Sequence, residues 1–433
     1  MKKLLVLIFA AACISADVSA QGLLNKIKNK VEQSASKAID KEFDKSSSKK
    51  PDSKSSNQES SSTTSSSASS GTQSLESEEE NTGETNETKK LESKTRFDFV
   101  PGEKVIFSED FSQESVGEFP SKWFTRSKGE TVTLNTAPGK WMRLYPGGFL
   151  SPTVDMKENY TVEFDLIMDW PVKGGYLVPS FGIGFYDRGF KTEVFSYDYR
   201  LVNNMSIQIT PFRSEGAVTM TSREESKPKF SSDKMQVSSF DKKSGKVIHV
   251  AISVQKERFR LWLDEEKVFD IPGAVPYPGN FNQMKVEMNS SNYTNDQIGY
   301  YVSNIRIASG VNNIKSRLID EGKVSTTGIQ FDVNSDNLRP ESYGTINEIA
   351  KVLKENPDMK IRVIGHTDNS GSAADNLILS KKRADAVIKV LTSEYGITSG
   401  ALQADGKGST APVADNKTAE GKAMNRRVEF VKM

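Results

Sequence analysis

The sequence has little cysteine and histidine, and it has no large excess of charge of either sign. One cysteine in 433 residues excludes a disulfide framework. Two histidines leave little material for a histidine-rich metal site. The 58 Lys+Arg against 57 Asp+Glu give a formal charge of +1, without the basic excess that is typical of nucleic-acid-binding proteins. We therefore expect no nucleic-acid partner, no metal and no cofactor.

Long apolar runs are also missing, apart from one at the N-terminus that is too short to span a bilayer. Lys2 and Lys3 precede the apolar residues 4–14, and small residues lead to Ala20. This order predicts a secretory signal peptide over residues 1–20. An alternative uses Cys13, which follows Ala11 and Ala12 and resembles a lipoprotein attachment site lacking its usual leucine. A lipid anchor on Cys13 therefore stays open.

Two segments of different character follow the predicted signal peptide. Apolar residues recur every three or four positions within residues 21–45, which predicts one amphipathic helix. The helix could dock on another helix or domain, or lie on a membrane surface. In residues 46–95, 17 of the 50 residues are serine, so this stretch has too little apolar surface to fold. It is predicted to be a disordered Ser-rich tether.

Short alternating apolar runs separated by turn residues fill residues 96–310. The run at 258–264 and its return at 267–270 predict a strand, a tight turn and a second strand. The pattern favours an all-β sandwich, and it resembles the concanavalin/laminin-G-type jelly roll. That superfamily includes glycan-binding modules and glycoside hydrolases, so the resemblance leaves a glycan ligand open.

Two carboxylates in this block raise the alternative of an enzyme. Glu163 and Asp165 are two positions apart on a predicted strand and so share a face. Paired carboxylates are what glycoside hydrolysis requires, and the motif is similar to that of jelly-roll glucanases. The third acid of those enzymes falls where this chain has Met168, with Asp169 one position late. We therefore expect an ordinary strand with a solvated polar face and no catalytic residues.

After residue 311 the pattern alternates strands with helices, which is typical of a compact α/β domain. Strands are predicted at residues 328–333, 360–365, 402–404 and 427–431. A helix is expected after Pro340, with its apolar stripe ending before Pro357. A second helix is expected at residues 374–395, with Leu377 among its inward residues.

Four segments of this C-terminal block carry a resemblance to a known family. They begin with residues 365–371 (GHTDNSG), continue with Asn376, Leu379-Ser380 and Arg383-Ala384, and end with Gly406 and residues 425–429 (NRRVE). In order and spacing they resemble the OmpA-like peptidoglycan-binding domain. The whole chain is thus predicted to be multidomain: an all-β jelly-roll sandwich at 96–310, preceded by the Ser-rich linker and followed by an α/β OmpA-like domain at 311–433.

The resemblance implies a site for the diaminopimelate side chain of the peptidoglycan stem peptide. It assigns the carboxylate that binds the ligand ammonium to Asp368, and the guanidinium that binds the ligand carboxylate to Arg383. Lysine at this stem position lacks the distal carboxylate, so selectivity is expected. The resemblance also implies a set of neighbouring site residues: Phe331, Asp332, Thr367, Asn369, Asn376 and Leu379. Asp375 stands where the family often has a bulky residue, and Arg427 is expected to brace the floor.

Together these features predict a non-enzymatic, secreted envelope protein of a Gram-negative bacterium. It would bind peptidoglycan in the periplasm and tether the outer membrane or an envelope complex to the cell wall. The alternatives are a jelly-roll glycoside hydrolase or glycan-binding module held on the wall by the C-terminal domain, and a scaffold with several envelope protein partners.

Overall fold

The computed structural model describes residues 97–172, 176–187, 203–212, 215–277 and 281–433, which all belong to one compact unit. The predicted signal peptide with Cys13, the 21–45 helix and the 46–95 linker lie outside the described residues. None of the helices in the described ranges is both long and apolar enough to cross a bilayer.

The N-terminal part of this unit consists of two antiparallel sheets. In chain order the strands are β1 (Lys104–Glu109), β2 (Phe124–Thr125), β3 (Gly129–Thr133), β4 (Lys140–Leu144), β5 (Gly147–Leu150), β6 (Asn159–Asp169), β7 (Phe181–Tyr186), β8 (Asn204–Phe212), β9 (Glu215–Glu224), β10 (Lys227–Ser231), β11 (Met235–Val237), β12 (Val247–Gln255), β13 (Arg258–Leu263), β14 (Glu266–Ile271), β15 (Gln283–Met288) and β16 (Gly299–Ser309). A short 3-10 helix, Phe240–Lys243, precedes β12.

The two sheets enclose one apolar core, to which both contribute. The first sheet has the order β14-β13-β12-β6-β16-β4-β3, with β1 also paired to β16. The second has the order β10-β9-β8-β7-β15-β5-β2, with β11 paired to β9. The predicted hairpin is present as β13 and β14. A mostly β architecture ahead of an α/β block is confirmed, while the jelly-roll assignment stays a prediction.

Strand β6 shows how sequence alternation builds this sandwich. Val162, Phe164 and Leu166 point into the core between the sheets, so Glu163 and Asp165 point to the opposite face of the first sheet. That face was expected to be solvated, and this expectation is wrong. Glu163 and Asp165 are only 2% and 3% exposed, because the C-terminal part of the unit packs over them.

The C-terminal part is a four-stranded sheet with helices. Its elements are α1 (Ile314–Asp320), β17 (Lys323–Thr326), α2 (Ser342–Glu355), β18 (Ile361–His366), α3 (Ala373–Ser393), β19 (Leu402–Gly408), α4 (Ala419–Asn425) and β20 (Val428–Lys432), with a 3-10 turn at Ser399–Ala401. The sheet order is β17-β20-β18-β19, and only the β18–β19 pair within it is parallel.

The strand predicted at 328–333 is wrong. The first strand of this sheet is β17, which ends at Thr326. Residues 331–338 form a loop instead, closed by a single bridge between Phe331 and Leu338. The backbone of Gln330 bonds the Ser342 hydroxyl, as donor and as acceptor, both at 2.8 Å. These peptide groups therefore pair with the start of α2 rather than with a neighbouring strand.

Candidate functional site

Helix α3 lies unusually close to the sheet, and this closeness sets the position of the candidate site. A side chain at Gly365 would place its Cβ 2.0 Å from the Ser380 carbonyl oxygen, and one at Gly406 would meet the Ser380 hydroxyl at 2.6 Å. The Ser380 hydroxyl accepts a hydrogen bond from the Gly408 amide at 2.9 Å. The two glycines thus bring the first turns of α3 against the ends of β18 and β19.

The inward face of α3 begins with polar residues. Asn376 and Ser380 are buried, and Ala384 and Val387 continue the same face into the apolar core. Leu377, expected inward, is instead 50% exposed. The helix passes over the strand ends here, where polar loop groups rather than core side chains need partners, so the amide of Asn376 takes the buried position.

Asp368 lies two residues beyond the end of β18 and is 8% exposed. Its Oδ1 accepts a hydrogen bond from the Ser370 amide at 2.9 Å, and its Oδ2 accepts one from Arg426 Nη1 at 2.7 Å. Burial by itself favours the neutral acid, but these bonds and the charge of Arg426 outweigh it, so the pKa of Asp368 is lowered. The group is therefore a carboxylate at neutral pH.

Arg383 lies on α3 and is held by the 331–338 loop. Its Nε donates to the Ser335 carbonyl at 2.9 Å and its Nη2 to the Asp332 carbonyl at 3.4 Å. Its guanidinium stacks over the Phe331 ring, 4.9 Å from the ring centroid. Burial, followed by the charge of Arg426, lowers the pKa of Arg383, which remains a cation at neutral pH.

Asp368 and Arg383 lie in the same site but are not paired with each other. The ion-pair partner of Asp368 is Arg426, at 2.7 Å. Arg383 is held by carbonyl oxygens and an aromatic face, which satisfy hydrogen bonds without neutralising its charge. Arg426 was not among the predicted site residues, although it lies within the NRRVE segment. Its contact with Asp368 spans 58 residues of sequence, so the segment alone gave no reason to prefer it to Arg427.

The other predicted site residues occupy different positions around this pair. The Asn376 side-chain amide donates to the Ser370 carbonyl at 2.8 Å and holds the loop that carries Asp368. Thr367 is buried, Leu379 is half-buried and Asn369 is exposed. The side chain of Asp332 is exposed, and it is the carbonyl of this residue that contacts Arg383. Ser372 caps α3, since its hydroxyl accepts from the Asp375 amide at 3.1 Å and donates to the Asp375 carboxylate at 2.6 Å.

Arg427 and His366 form a buried layer below the site. Arg427 donates to Glu429 Oε1 from Nε at 3.0 Å and from Nη2 at 2.8 Å, which agrees with a bracing role. His366 is the last residue of β18 and lies 3.5 Å from Glu429. Burial and the charge of Arg427 lower the pKa of His366 to about 4, so its imidazole is neutral at pH 7.

Glu163 and Asp165 do not form an open glycan site. Gln330 donates to Glu163 at 2.8 Å, and Arg339 Nη2 lies 3.1 Å from both carboxylate oxygens of Asp165. Asn304 donates to Asp165 at 2.7 Å. The partners from the C-terminal part cover the face on which a sugar would have to lie. The carboxylate pair on which the glycoside-hydrolase alternative depended is therefore not accessible.

One group of described residues has the spacing of a metal site. Ligand atoms of Asp165, His249 and Glu341 all lie within 4.8 Å of one another. However, Arg339 Nη2 already lies 3.1 Å from Asp165 Oδ1 and 3.3 Å from Glu341 Oε1. A guanidinium thus takes the place of the cation that these carboxylates would otherwise need, and we interpret the group as an ion-pair network rather than a metal centre.

Comparisons with known proteins agree with this architecture in the C-terminal part. Residues 330–426 match the OmpA family. Outer membrane porin F of Pseudomonas aeruginosa is 46% identical over 101 residues, 23% of this chain and 29% of that protein. The peptidoglycan-binding protein ArfA of Mycobacterium bovis is 40% identical over 103 residues, 24% of this chain and 31% of that protein.

Among solved structures, the peptidoglycan-associated lipoprotein from Burkholderia pseudomallei is 31% identical. The match covers 25% of this chain and 89% of that one, with a TM-score of 0.23. The chain spans less than a third of the length of the porin and of ArfA, so the likeness concerns one domain. The C-terminal part of this chain is an OmpA-like domain.

Proposed function

We propose that the chain is a non-enzymatic envelope protein whose C-terminal domain, residues 311–433, binds peptidoglycan without a covalent bond. The observation that carries this proposal is a pair of unlike charges, one just after the end of β18 and the other in the middle of α3. A buried carboxylate with a lowered pKa, Asp368, lies near a guanidinium, Arg383, that forms no ion pair within the part of the chain that the structure describes. The similarity of this domain to the peptidoglycan-binding protein ArfA supports the same function.

The ligand that suits this pair is the distal end of diaminopimelate in the stem peptide. That end carries an ammonium and a carboxylate on one carbon. Asp368 would accept from the ammonium with lone pairs that Ser370 and Arg426 leave unused, and Arg383 would donate to the carboxylate. A lysine stem offers the ammonium only, which would leave the half-buried Arg383 without its anion. Thr367, Asn369, Asn376 and Leu379 would line the pocket, with Phe331 and Asp332 on the side of Arg383.

The rest of the chain suggests what this domain anchors. A signal peptide at 1–20, or a lipid on Cys13, would direct the chain to the periplasm and the outer membrane. The 46–95 linker would have a root-mean-square span of about 40 Å, enough for the 21–45 helix to reach a membrane or an envelope protein partner. The sandwich, as a jelly roll, would be a second contact module. The whole chain would thus tether the outer membrane or an envelope complex to the wall.

The proposal is tested by sedimentation of residues 21–433 with diaminopimelate-type and with lysine-type peptidoglycan. We expect binding to the first, and a loss of affinity of more than about tenfold for Asp368→Asn and for Arg383→Gln, because each removes a charge-assisted hydrogen bond. Asp368→Asn retains the shape of the side chain and its bond from Ser370.

Matched controls are Asp385→Asn and Arg362→Gln. Asp385 is an exposed carboxylate on the same helix, paired with Lys381, and Arg362 is an exposed arginine on β18, bonded to Gln403. Both control variants should bind as the unaltered chain does. Equal binding of all five proteins would refute the site, and no sedimentation of the unaltered chain would refute the function.

A further inference from the structure

A row of polar side chains lies on the outer face of the first sheet of the sandwich, and three of them, Glu163, Asp165 and His249, are buried. Glu163 and Asp165 come from β6, His249 from β12, and Asn304 and Arg306 from β16. A bulge in β16 between Ser303 and Arg306 lets Asn304 and Arg306 both reach this face. Such a row on an ordinary sandwich would face water, so its burial requires partners from outside the sandwich.

The partners come from the two ends of the 331–338 loop in the C-terminal domain. Gln330, before the loop, donates to Glu163 at 2.8 Å. Arg339, after it, donates to both oxygens of Asp165 at 3.1 Å, and Glu341 lies 3.5 Å from His249 Nδ1.

The charges of the network are nearly balanced. The carboxylates Glu163, Asp165 and Glu341 face the guanidinium groups of Arg306 and Arg339, with the His249 imidazole between them. Asp264, from the turn after β13, accepts from the His249 backbone amide. A protonated His249 would balance the three carboxylates against the two guanidinium groups, and its Nδ1 lies 2.9 Å from Asp165 Oδ1.

The same loop holds the arginine of the candidate site. Its base is closed by the Arg339 amide, which donates to the Gln330 carbonyl at 3.0 Å, and by the Phe331–Leu338 bridge. From the loop, the carbonyls of Asp332 and Ser335 accept from Arg383, and the Phe331 ring supports its guanidinium. A continuous path of hydrogen bonds and packed groups therefore leads from Asp165 in the sandwich to Arg383.

We propose that the sandwich positions Arg383 by holding Arg339, so that recognition of the ligand carboxylate depends on the Asp165–Arg339 contact. Arg339 and Asp165 are positioning residues, since neither touches the site. This inference rests on the proposed function, and it makes the sandwich part of the binding mechanism rather than a spacer.

The test compares two soluble stem peptides, one with diaminopimelate and one with lysine, by calorimetry on residues 21–433. We expect Asp165→Asn and Arg339→Gln to reduce the preference for the diaminopimelate peptide about three- to tenfold, with little change for the lysine peptide, which makes no carboxylate contact with Arg383. A purely structural role would instead reduce binding of both peptides equally. Arg258→Gln, which breaks the bidentate pair with Asp270 on the sandwich hairpin, is the control and should retain the full preference.

Each variant is first checked for folding by its thermal transition. The double variant Asp165→Asn/Arg339→Gln removes both charges together and replaces any single variant that does not fold, because it leaves neither charge buried alone. Folded variants with unaltered preference would overturn the inference and leave the proposed function intact. An unaltered chain that binds neither peptide, or both equally, would refute the proposed function itself.

Discussion

The charge state of Asp368 results from a competition between burial and its two hydrogen-bond donors. Burial raises the cost of the carboxylate, while Arg426 and the Ser370 amide stabilise it, and the net result is a lowered pKa. Arg426 is also 44% exposed in its side chain, so it can move when a ligand ammonium approaches. Arg426 therefore keeps Asp368 ionised, and it also occupies the position beside Asp368 that a ligand ammonium would take.

We predict that Arg426→Gln raises the pKa of Asp368. Binding to diaminopimelate-type peptidoglycan requires the carboxylate, so its acid midpoint should move to higher pH, which a pH series of sedimentation assays measures. Arg426→Lys retains a positive charge and should shift the midpoint less. An acid midpoint that is the same in Arg426→Gln and in the unaltered chain would contradict this account.

At the residue level, the sequence predicted the site residues that belong to the family motif. It did not predict the residues that join the site only through contacts between distant segments. Asp368 and Arg383 were predicted from the resemblance to the OmpA-like domain, and the structure brings them close together. Their role in binding stays a prediction. Arg426, and the carbonyl of Ser335 under Arg383, belong to the site through contacts between distant segments, which spacing does not encode.

At the scale of elements, helix α2 packs closely against the chain before β1. Gly344 on α2 lies so close to Phe99 that an added Cβ would be 1.9 Å from the Phe99 carbonyl oxygen. Phe99 itself packs edge-on against Trp262 of the sandwich, with ring centroids 5.3 Å apart. This glycine therefore allows the helix, residues 97–101 and the sandwich to meet.

We predict that Gly344→Ala lowers the free energy of unfolding by about 1–3 kcal/mol, because the overlap with backbone forces the helix away. Helix propensity alone predicts the opposite sign, a gain of about 1 kcal/mol. Urea unfolding of residues 21–433 measures the difference. Gly400→Ala is the control, since Gly400 is exposed and nothing lies within 4 Å of its added Cβ. A stabilised Gly344→Ala variant would show that this close contact is not maintained.

At the level of elements, apolar periodicity predicted the strands and helices that pack one face on a core. It failed for the segment at 328–333. The hairpin predicted at 258–264 and 267–270 is present as β13 and β14, and α3 was predicted within two residues of its observed ends. The strand expected at 328–333 failed because Ser342 satisfies the backbone that a sheet would have used.

For the whole molecule, the two histidines affect stability in opposite directions. Burial alone would lower the pKa of His249, but the hydrogen bond to Asp165 and the charges of Glu341 and Glu163 raise it above its usual 6.5. The pKa of His366 is lowered to about 4. Well above pH 6.5, His366 is neutral in both the folded and the unfolded chain, so it does not make the free energy of unfolding depend on pH. In that range, the histidine part of the pH dependence comes from His249.

We predict that the free energy of unfolding decreases as the pH rises through the raised pKa of His249. Between the unfolded value of 6.5 and the folded one, the folded chain binds more protons than the unfolded chain, so the stabilisation is complete below pH 6.5 and is lost above it. The slope of one such group is at most about 1.4 kcal/mol per pH unit. Urea unfolding at a series of pH values above 6.5 measures it.

The matched controls are the two histidine variants. His249→Gln should abolish this alkaline slope, and His366→Gln should leave it unaltered. Between pH 6.5 and 4 the unfolded chain binds a proton at His366 that the folded chain does not bind, so acidification lowers the free energy of unfolding. His366→Gln should reduce this loss. An alkaline slope that persists in His249→Gln would place its origin outside the buried network.

The buried polar face of the first sheet has a consequence for recombining this domain with others. A chimera that joined this sandwich to an OmpA-like domain lacking equivalents of Arg339 and Gln330 would bury Glu163, Asp165 and His249 without their partners. Unpaired buried charge of this kind costs several kcal/mol, so the hybrid would separate into two loosely linked domains or fail to fold. The sandwich can be joined to a different C-terminal domain only when residues 330–341 are transferred together with the sheet face that carries Glu163, Asp165 and His249.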